Sequence, residues 1–222
     1  MNRAAVLVAI TILLTLPASS SARNDVFLRG FADAGLTVFP ASQSFGAILG
    51  TPAGPVVGGG VEIDVTKFSV RGPAVPPKNF FFSLGASHFR RTGHRVFVFQ
   101  NQVFKLNVSD TVTVTPLQFS FGYRLGRPGR LRPYAGGGIG WYRFGETSAD
   151  STSGDNASET HTGYHLLAGA EKPVHKWMAA AVDAQWSLVP HAIGDAATSV
   201  GRFYNERGLG GFTVRARIIV GH

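Results

Sequence analysis

Near its end the chain reads Phe212-Thr213-Val214-Arg215-Ala216-Arg217-Ile218-Ile219-Val220, with an apolar residue at almost every second position. Successive side chains of a β-strand point to opposite faces, so this alternation separates an apolar face from a face that carries Arg215 and Arg217. The apolar face holds Phe212, Val214, Ala216, Ile218 and Val220. The stretch therefore predicts a strand that is apolar on one side only.

The same period of two recurs along the chain. It is clear over residues 57–66 and 115–125 and weaker over residues 26–39, 79–89, 132–144, 163–171 and 177–188. Together with the last segment these make eight predicted strands, each near the ten or so residues that a tilted membrane strand needs. The run Met178-Ala179-Ala180-Ala181 favours a helix by propensity, but the shared parity of Val182, Trp186 and Leu188 predicts a strand there.

The links between the predicted strands alternate in length. Long polar links are predicted at residues 40–55, 90–110, 145–160 and 190–207, and tight links at residues 126–130 and 173–175. Long loops at one end and short turns at the other are typical of outer-membrane barrels. The link at residues 69–78 is longer than this pattern requires.

Composition limits the class of protein. The 222 residues suffice for one domain, only 15 % of them are charged, and there is no cysteine, which excludes disulfides and thiolate metal sites. The formal charge of +8 comes mainly from scattered arginines without a basic helix or a nucleic-acid-binding motif. We therefore expect no nucleic acid, and instead a basic rim that faces the phosphates of outer-membrane lipid and lipopolysaccharide.

The N-terminus carries the pattern of a secretory signal. A short basic start, Met1-Asn2-Arg3, precedes an apolar stretch at residues 4–16 and a small-residue region at residues 17–22. This predicts a cleavable signal peptide over residues 1–22 and a barrel domain over residues 23–222, exported to the cell outer membrane. No later segment has 18 continuous apolar residues, so a membrane-spanning mature chain must cross as strands.

Two barrel classes fit one-sided strands, and they differ in which face points inward. In a soluble lipocalin-like binding barrel the apolar face lines a ligand cavity, whereas in a membrane barrel it meets lipid. In the membrane case the inward face holds four arginines and five carboxylates, a near balance expected where buried charges must pair. These residues form a predicted lumen charge network: Arg29, Asp33, Glu62, Asp64, Arg124, Glu171, Asp183, Arg215 and Arg217. The balance favours an all-β fold, a single eight-stranded antiparallel up-and-down transmembrane β-barrel.

Two stretches also resemble a known family. The sequence Leu131-Arg132-Pro133-Tyr134-Ala135-Gly136-Gly137-Gly138-Ile139-Gly140-Trp141 and the strand that ends the chain are similar to the OmpA-like and OmpX-like outer-membrane β-barrel proteins. The resemblance implies a small bacterial outer-membrane barrel. Members commonly end in an aromatic residue that the outer-membrane assembly machinery recognises, and here His222 shares the parity of Phe212.

Function is less constrained than fold. None of the histidines lies in a nucleophile elbow, so we predict no catalytic, cofactor or metal residues and no cofactor. An eight-stranded barrel is filled by its own side chains, which disfavours a wide pore. We predict a structural or surface-interaction role, with a surface partner that meets loops 90–110 and 145–160. A lipid A-modifying enzyme, a narrow pore and a soluble lipocalin-like barrel remain as alternatives.

Overall fold

The computed structural model describes residues 26–65, 79–125, 130–149, 157–194 and 199–221. These residues form eight strands and two helices: β1 (Val26–Val38), α1 (Ser42–Leu49), β2 (Ala53–Val65), β3 (Phe80–Phe99), β4 (Gln102–Arg124), β5 (Arg132–Ser148), β6 (Ala157–His175), β7 (Met178–Val189), α2 (Val200–Phe203) and β8 (Leu209–Val220). Among them, no helix is long and apolar enough to cross a lipid bilayer. The predicted signal peptide, the whole link at residues 69–78 and His222 lie outside the described residues.

Every strand pairs antiparallel with its neighbour in the chain, and β8 pairs with β1 to close the barrel. In the closing pair Asp33 lies opposite Arg217, and between β7 and β8 Asp183 lies opposite Arg215. The predicted eight-stranded up-and-down barrel is confirmed. The alanine-rich segment at the start of β7 is a strand, because its alternate residues continue the two faces of the sheet.

The strands are longer than predicted at one end of the barrel. We call this the loop end, where β1–β2, β3–β4, β5–β6 and β7–β8 are joined, and the opposite end, where the chain starts and finishes, the terminus end. Residues 90–110, expected to form a loop, continue β3 and β4 to a turn at Gln100-Asn101, where both residues have positive φ. Residues 145–148 and 157–160 likewise belong to β5 and β6. The links at residues 40–55 and 190–207 contain α1 and α2.

The outward face is apolar over a band in the middle of the barrel. Leu166 and Trp186 are 71 % and 66 % exposed, whereas Arg124 is 2 % exposed, so the apolar side chains face outward and the charges inward. On β4 and β5 the outward-facing pair Leu117 and Trp141 is apolar. The next outward-facing pair toward the loop end, Thr115 and Arg143, is polar. The outward residues from 117 to 125 therefore cover the length of a tilted membrane strand, and the loop ends of β3–β6 project beyond the band.

An apolar cluster fills the loop end of the barrel interior. Phe45 of α1 stacks on Phe39 with ring centroids 4.3 Å apart, and Phe89 meets Phe39 edge-on with centroids 4.9 Å apart. The backbone of α1 at Ile48 passes so close to Gly93 that a β-carbon at that position would lie 2.0 Å from the Ile48 carbonyl oxygen. α1 therefore caps the barrel from inside its rim.

Candidate functional site

Five charged side chains meet in the lumen near the terminus end. Arg29 donates to both Glu171 oxygens, at 2.8 and 3.0 Å, and its Nε donates to Glu62 Oε1 at 3.0 Å. Arg124 donates to Glu171 Oε2 at 3.1 Å and also binds Glu62 and Asp64. All but Asp64 are almost completely buried. Two guanidinium groups thus bridge three carboxylates, and the five residues come from four strands.

A second charge network lies in the middle of the lumen. Arg215 donates to Asp183 Oδ1 from Nε at 3.0 Å and from Nη2 at 2.9 Å, and to Gln185 at 2.8 Å. The other Asp183 oxygen accepts from the Tyr134 hydroxyl at 3.1 Å and lies 3.1 Å from Arg217 Nη2. Arg217 Nη2 is also 3.7 Å from Asp33. Asp183, 1 % exposed, is the centre of this network.

Aromatic rings separate these charges from the barrel wall. The Arg124 guanidinium lies 4.4 Å from the Phe81 ring centroid, and the Arg217 guanidinium lies 4.2 Å from that of Phe31. A β-carbon at Gly122 would lie 2.3 Å from the Phe81 ring, so only glycine leaves space for this ring. The inward glycines therefore make room for aromatic residues in a narrow barrel.

All nine residues of the predicted network point into the lumen, and eight of them are less than 9 % exposed. The structure distributes them over the two networks rather than joining them in one. A fifth inward arginine, Arg132, was missed by the sequence argument, and it donates to Asn79 Oδ1 at 3.1 Å. Its parity on β5 could have identified it, because Arg132 shares the inward face with Tyr134.

The barrel also brings together a serine and a histidine that the sequence did not pair. Ser120 Oγ and His165 Nε2 lie 2.8 Å apart, and both residues are less than 9 % exposed. Their spacing in the sequence did not indicate this contact. β4 and β6 are not paired with each other, and the pairing of both strands with β5 brings the two residues to the same height in the lumen. The void beside Ser120 has a volume of about 20 Å³, which is too small for a substrate. The contact between Ser120 and His165 is therefore a buried hydrogen bond without room for a substrate beside it.

The open space in the lumen is divided. A void of about 40 Å³ lies beside Tyr142 and Arg215, and cavities of about 230 Å³ occur at each end of the barrel. One water molecule occupies about 30 Å³ in the liquid, so the central voids hold about one water molecule each. The side chains seal the middle of the barrel.

At the loop end, the β7–β8 link holds α1 in place. The residue that precedes α1, Ala41, offers no side-chain acceptor, and the Glu206 carboxylate caps this helix instead. It accepts from the Gln43 and Ser44 amides at 3.0 and 2.8 Å and from the Ser44 hydroxyl at 2.6 Å. A carboxylate is favourable at a helix N-terminus because of the free N–H groups and the helix dipole. We call α1, α2 and the bonds through Glu206 the lid.

Two carboxyl groups face each other under the lid. Asp110 of β4 is 1 % exposed, and among the described residues no nitrogen donor reaches either of its carboxylate oxygens. In the β4–β5 register its partner is Ser148, and Glu146 lies two residues away on the same face of β5, beyond the apolar band. Burial, then the hydrogen bond to Asp110 and its charge, raise the pKa of Glu146 to about 8, whereas Arg95 acts in the opposite direction. At neutral pH Glu146 is therefore mainly protonated.

The ends of β3 and β4 form a hairpin of residues 90–109 above the rim, which we call the projecting hairpin. Ten residues of β3, 90–99, lie beyond the last pair with β2, a length of roughly 34 Å along the strand. Phe97 and Phe104 stack at 5.3 Å and remain 38 % and 40 % exposed. Phe99 and Leu106 are exposed nearby. The hairpin therefore presents apolar side chains to solvent.

Comparison with known proteins agrees with this architecture. The family described as the outer membrane protein beta-barrel domain matches residues 6–199. The chain belongs to this family. Among the residues that the structure describes, this outer-membrane barrel has no group of three or more His, Asp or Glu placed to hold a metal ion.

Several solved structures share the fold of this outer-membrane barrel. A major outer membrane protein from Thermus thermophilus is 12 % identical with a TM-score of 0.52, over 88 % of this chain and 99 % of that chain. Neisserial surface protein A is 10 % identical (TM-score 0.48; 91 % and 100 % covered), and the N-terminal barrel domain of Pseudomonas aeruginosa OprF is 13 % identical (TM-score 0.44; 88 % and 97 % covered). No curated protein sequence matches the chain. Family membership indicates the outer membrane as the location of the protein.

Proposed function

We propose that this protein is a sealed, non-enzymatic barrel that holds the projecting hairpin at the cell surface, where the hairpin contacts an anionic lipid surface. The observation that carries the proposal is the combination of a filled lumen with two strands that continue well beyond the rim. A filled lumen serves neither transport nor a buried active site. The part of the molecule that extends farthest beyond the membrane-spanning barrel is the hairpin.

Orientation follows from the lengths of the connections. Outer-membrane barrels place short turns in the periplasm and longer loops outside the cell. The two-residue link Lys176-Trp177 joins β6 and β7 at the terminus end, whereas the link with α2 between β7 and β8 spans residues 190–208 at the loop end. This asymmetry supports an outward-facing loop end and therefore an outward-facing hairpin.

The chemistry of the hairpin indicates the partner. Residues 90–109 contain neither Asp nor Glu and have five basic or potentially basic side chains. These are Arg90, Arg91, His94, Arg95 and Lys105. Aromatic side chains insert among lipid headgroups and basic side chains bind their phosphates. An amphiphilic anionic surface, such as lipopolysaccharide or phospholipid, satisfies both.

Vesicle binding tests this function. The full barrel in nanodiscs is mixed with vesicles of phosphatidylcholine alone or of phosphatidylcholine with phosphatidylglycerol, and the bound fraction is measured by flotation. We expect binding to the anionic vesicles only, decreasing as salt screens the charges. Phe97→Ser with Phe99→Ser should weaken it at least about tenfold, because burial of one Phe contributes about 1.5–3 kcal/mol.

The matched control is Val174→Ser with Trp177→Ser, which removes two exposed apolar side chains at the terminus end. This variant should bind like the native barrel. Equal binding to neutral and anionic vesicles, or no effect of the hairpin substitutions in a folded barrel, would refute the proposed function.

Export of the chain is part of the same proposal. We propose that residues 1–22 direct secretion and are removed, which leaves residues 23–222 as the barrel domain. The intact mass of the protein purified from outer membranes tests this. A mass that retains residues 1–22 would contradict the cleavage.

A further inference from the structure

A cavity of about 230 Å³ lies under the lid, between α1, α2 and the loop ends of β4, β5 and β6. One part of its wall is apolar, with Phe45, Ile48, Phe144 and Val200 among its residues. Glu146 and Glu159 contribute carboxylates to the same cavity. Apolar side chains and acidic groups therefore face one partly open space under the lid.

The charges around this cavity do not balance. Asp110, Glu146 and Glu159 are the carboxyl groups, and Glu206 is already bound to the N-terminus of α1. Two groups oppose them: Arg95 acts on Glu146, and His161 Nε2 lies 3.2 Å from Glu159 Oε2. Three carboxyl groups therefore face one arginine and one histidine. The Asp110 carboxylate is buried and receives no hydrogen bond from a nitrogen donor of the described residues.

We propose that the cavity under the lid binds a small organic ammonium ion, with Glu146 and Glu159 as its counter-charges and the rings of Phe45 and Phe144 against its apolar part. The ammonium group takes the place of the proton on Glu146. This proposal does not rest on the surface contact made by the projecting hairpin, although Arg95 and Val96 at the base of the hairpin lie at the cavity.

The lining selects this class of ligand. A bare metal ion needs several oxygen or nitrogen ligands around one point, and the described residues contain no such group of three. An organic cation contacts both the acidic and the apolar residues of the lining. Its charge pairs with a carboxylate, and its apolar part packs on the aromatic rings, which also make cation–π contacts with the charge. The volume lies below the roughly 300–1,000 Å³ of sites for drug-sized molecules, so the ligand has one ring or a short chain.

Calorimetry on the native barrel in nanodiscs tests the site, with empty nanodiscs as the blank. The probes are benzylammonium, its neutral relative benzyl alcohol, and Ca²⁺. We expect one benzylammonium ion per barrel, and binding of benzyl alcohol at least about tenfold weaker, because a charge-assisted hydrogen bond contributes about 1.5–3 kcal/mol.

The pH dependence adds a second readout on the native protein. The proton on Glu146 competes with the ligand, so affinity should rise at least about tenfold from about pH 6 to about pH 8. Arg95 and Asp110 face Glu146, and His161 faces Glu159.

Two variants separate charge from shape. Glu146→Gln should weaken benzylammonium binding at least about tenfold and abolish most of its pH dependence. Val200→Trp should remove binding by filling the cavity without changing its charge. Lys172→Gln, at an exposed position near the terminus end, changes one charge elsewhere and should bind like the native barrel.

Four outcomes would overturn the proposal. They are the absence of benzylammonium binding, equal affinity for benzyl alcohol, unchanged affinity in a folded Glu146→Gln barrel, and binding of Ca²⁺ in place of the organic cation. Because the hairpin is intact in all these variants, vesicle binding measured in parallel reports separately on the proposed function.

Discussion

At the scale of single residues, the lumen shows how one arginine is shared among several carboxylates. Arg124 contacts Glu62, Asp64 and Glu171, which lie on two other strands, and its guanidinium covers the Phe81 ring. A buried charge is stable only when it is paired and hydrogen-bonded. Each arginine therefore links several strands, and the loss of one leaves several acids uncompensated.

Arg124→Met should lower the free energy of unfolding by about 3–5 kcal/mol, the usual result of breaking a buried ion pair on one side. Tryptophan fluorescence during urea unfolding in phospholipid vesicles measures it. Arg90→Met, at an exposed position of β3, should change the stability by less than about 0.5 kcal/mol. Equal effects of the two substitutions would show that the lumen network does not stabilise the barrel.

Glu146 should make stability depend on pH. Its pKa is raised to about 8 in the folded protein, so between its ordinary value and about 8 the folded state binds a proton that the unfolded state has lost. Stability contributed by this proton is fully present below the ordinary pKa and disappears as pH rises through about 8. Urea unfolding should therefore show a decrease on the order of a few kcal/mol from about pH 5 to about pH 9. The decrease should be absent in Glu146→Gln, and a persistent slope would assign it to other groups.

Sequence alternation was sufficient to place charged residues on one face, and it could not reveal their partners. Parity assigns Arg215 and Asp183 to the lumen, but contact requires the register of β7 against β8. The Ser120–His165 contact depends on two registers, those of β4–β5 and β5–β6. Register depends on turns and on packing between strands, which a single sequence does not specify.

At the scale of elements, α1 forms because another segment completes it. Its eight residues are too few to be stable alone in water, and Ala41 provides no cap. Gly50 adopts a left-handed φ of 78° and its amide donates to the Gly46 carbonyl, which ends the helix. Packing of Phe45 on Phe39 and capping by Glu206 complete the element, so α1 and the β7–β8 link stabilise each other.

Glu206→Ala should open the lid without unfolding the barrel. It removes three hydrogen bonds, each contributing about 1 kcal/mol, so the amides of residues 43–46 should exchange with deuterium at least about tenfold faster. Hydrogen-exchange mass spectrometry measures this. Glu159→Ala, whose carboxylate contacts His161 instead of α1, is the control and should leave these amides protected. Unchanged exchange in Glu206→Ala would mean that apolar packing alone holds α1.

The strands of the projecting hairpin extend beyond the bounds that alternation predicted for the third and fourth strands. Val96 and Val98 alternate with Phe97 and Phe99, so both faces are apolar and the period of two disappears from the sequence. The register also shifts between His94 and Val96, with more residues on β4 than on β3. A bulge of this kind interrupts any simple alternation. Strands inside the membrane were predictable because lipid and lumen impose opposite polarity, and above the rim solvent meets both faces.

At the scale of the whole molecule, the barrel is closed at three levels along its axis. Near the terminus end the Arg29 and Arg124 network fills the lumen, in the middle Asp183 and its partners do so, and at the loop end α1 covers the opening. An eight-stranded barrel has an interior about as wide as its inward side chains. The number of strands and the bulky inward residues together leave no continuous path for water through the part of the chain that the structure describes.

The native barrel should therefore conduct no ions. In planar bilayers it should show no current steps under conditions in which a porin of larger diameter, reconstituted in the same lipid, does. The sharper comparison uses Tyr142→Ala with Arg215→Ala, which removes the two large side chains beside the void of about 40 Å³. If these side chains seal the middle of the lumen, the double variant should show small current steps while remaining folded. Steps of equal size in the native barrel would show that the charge networks move aside, and the barrel would then be a narrow pore instead of a sealed anchor.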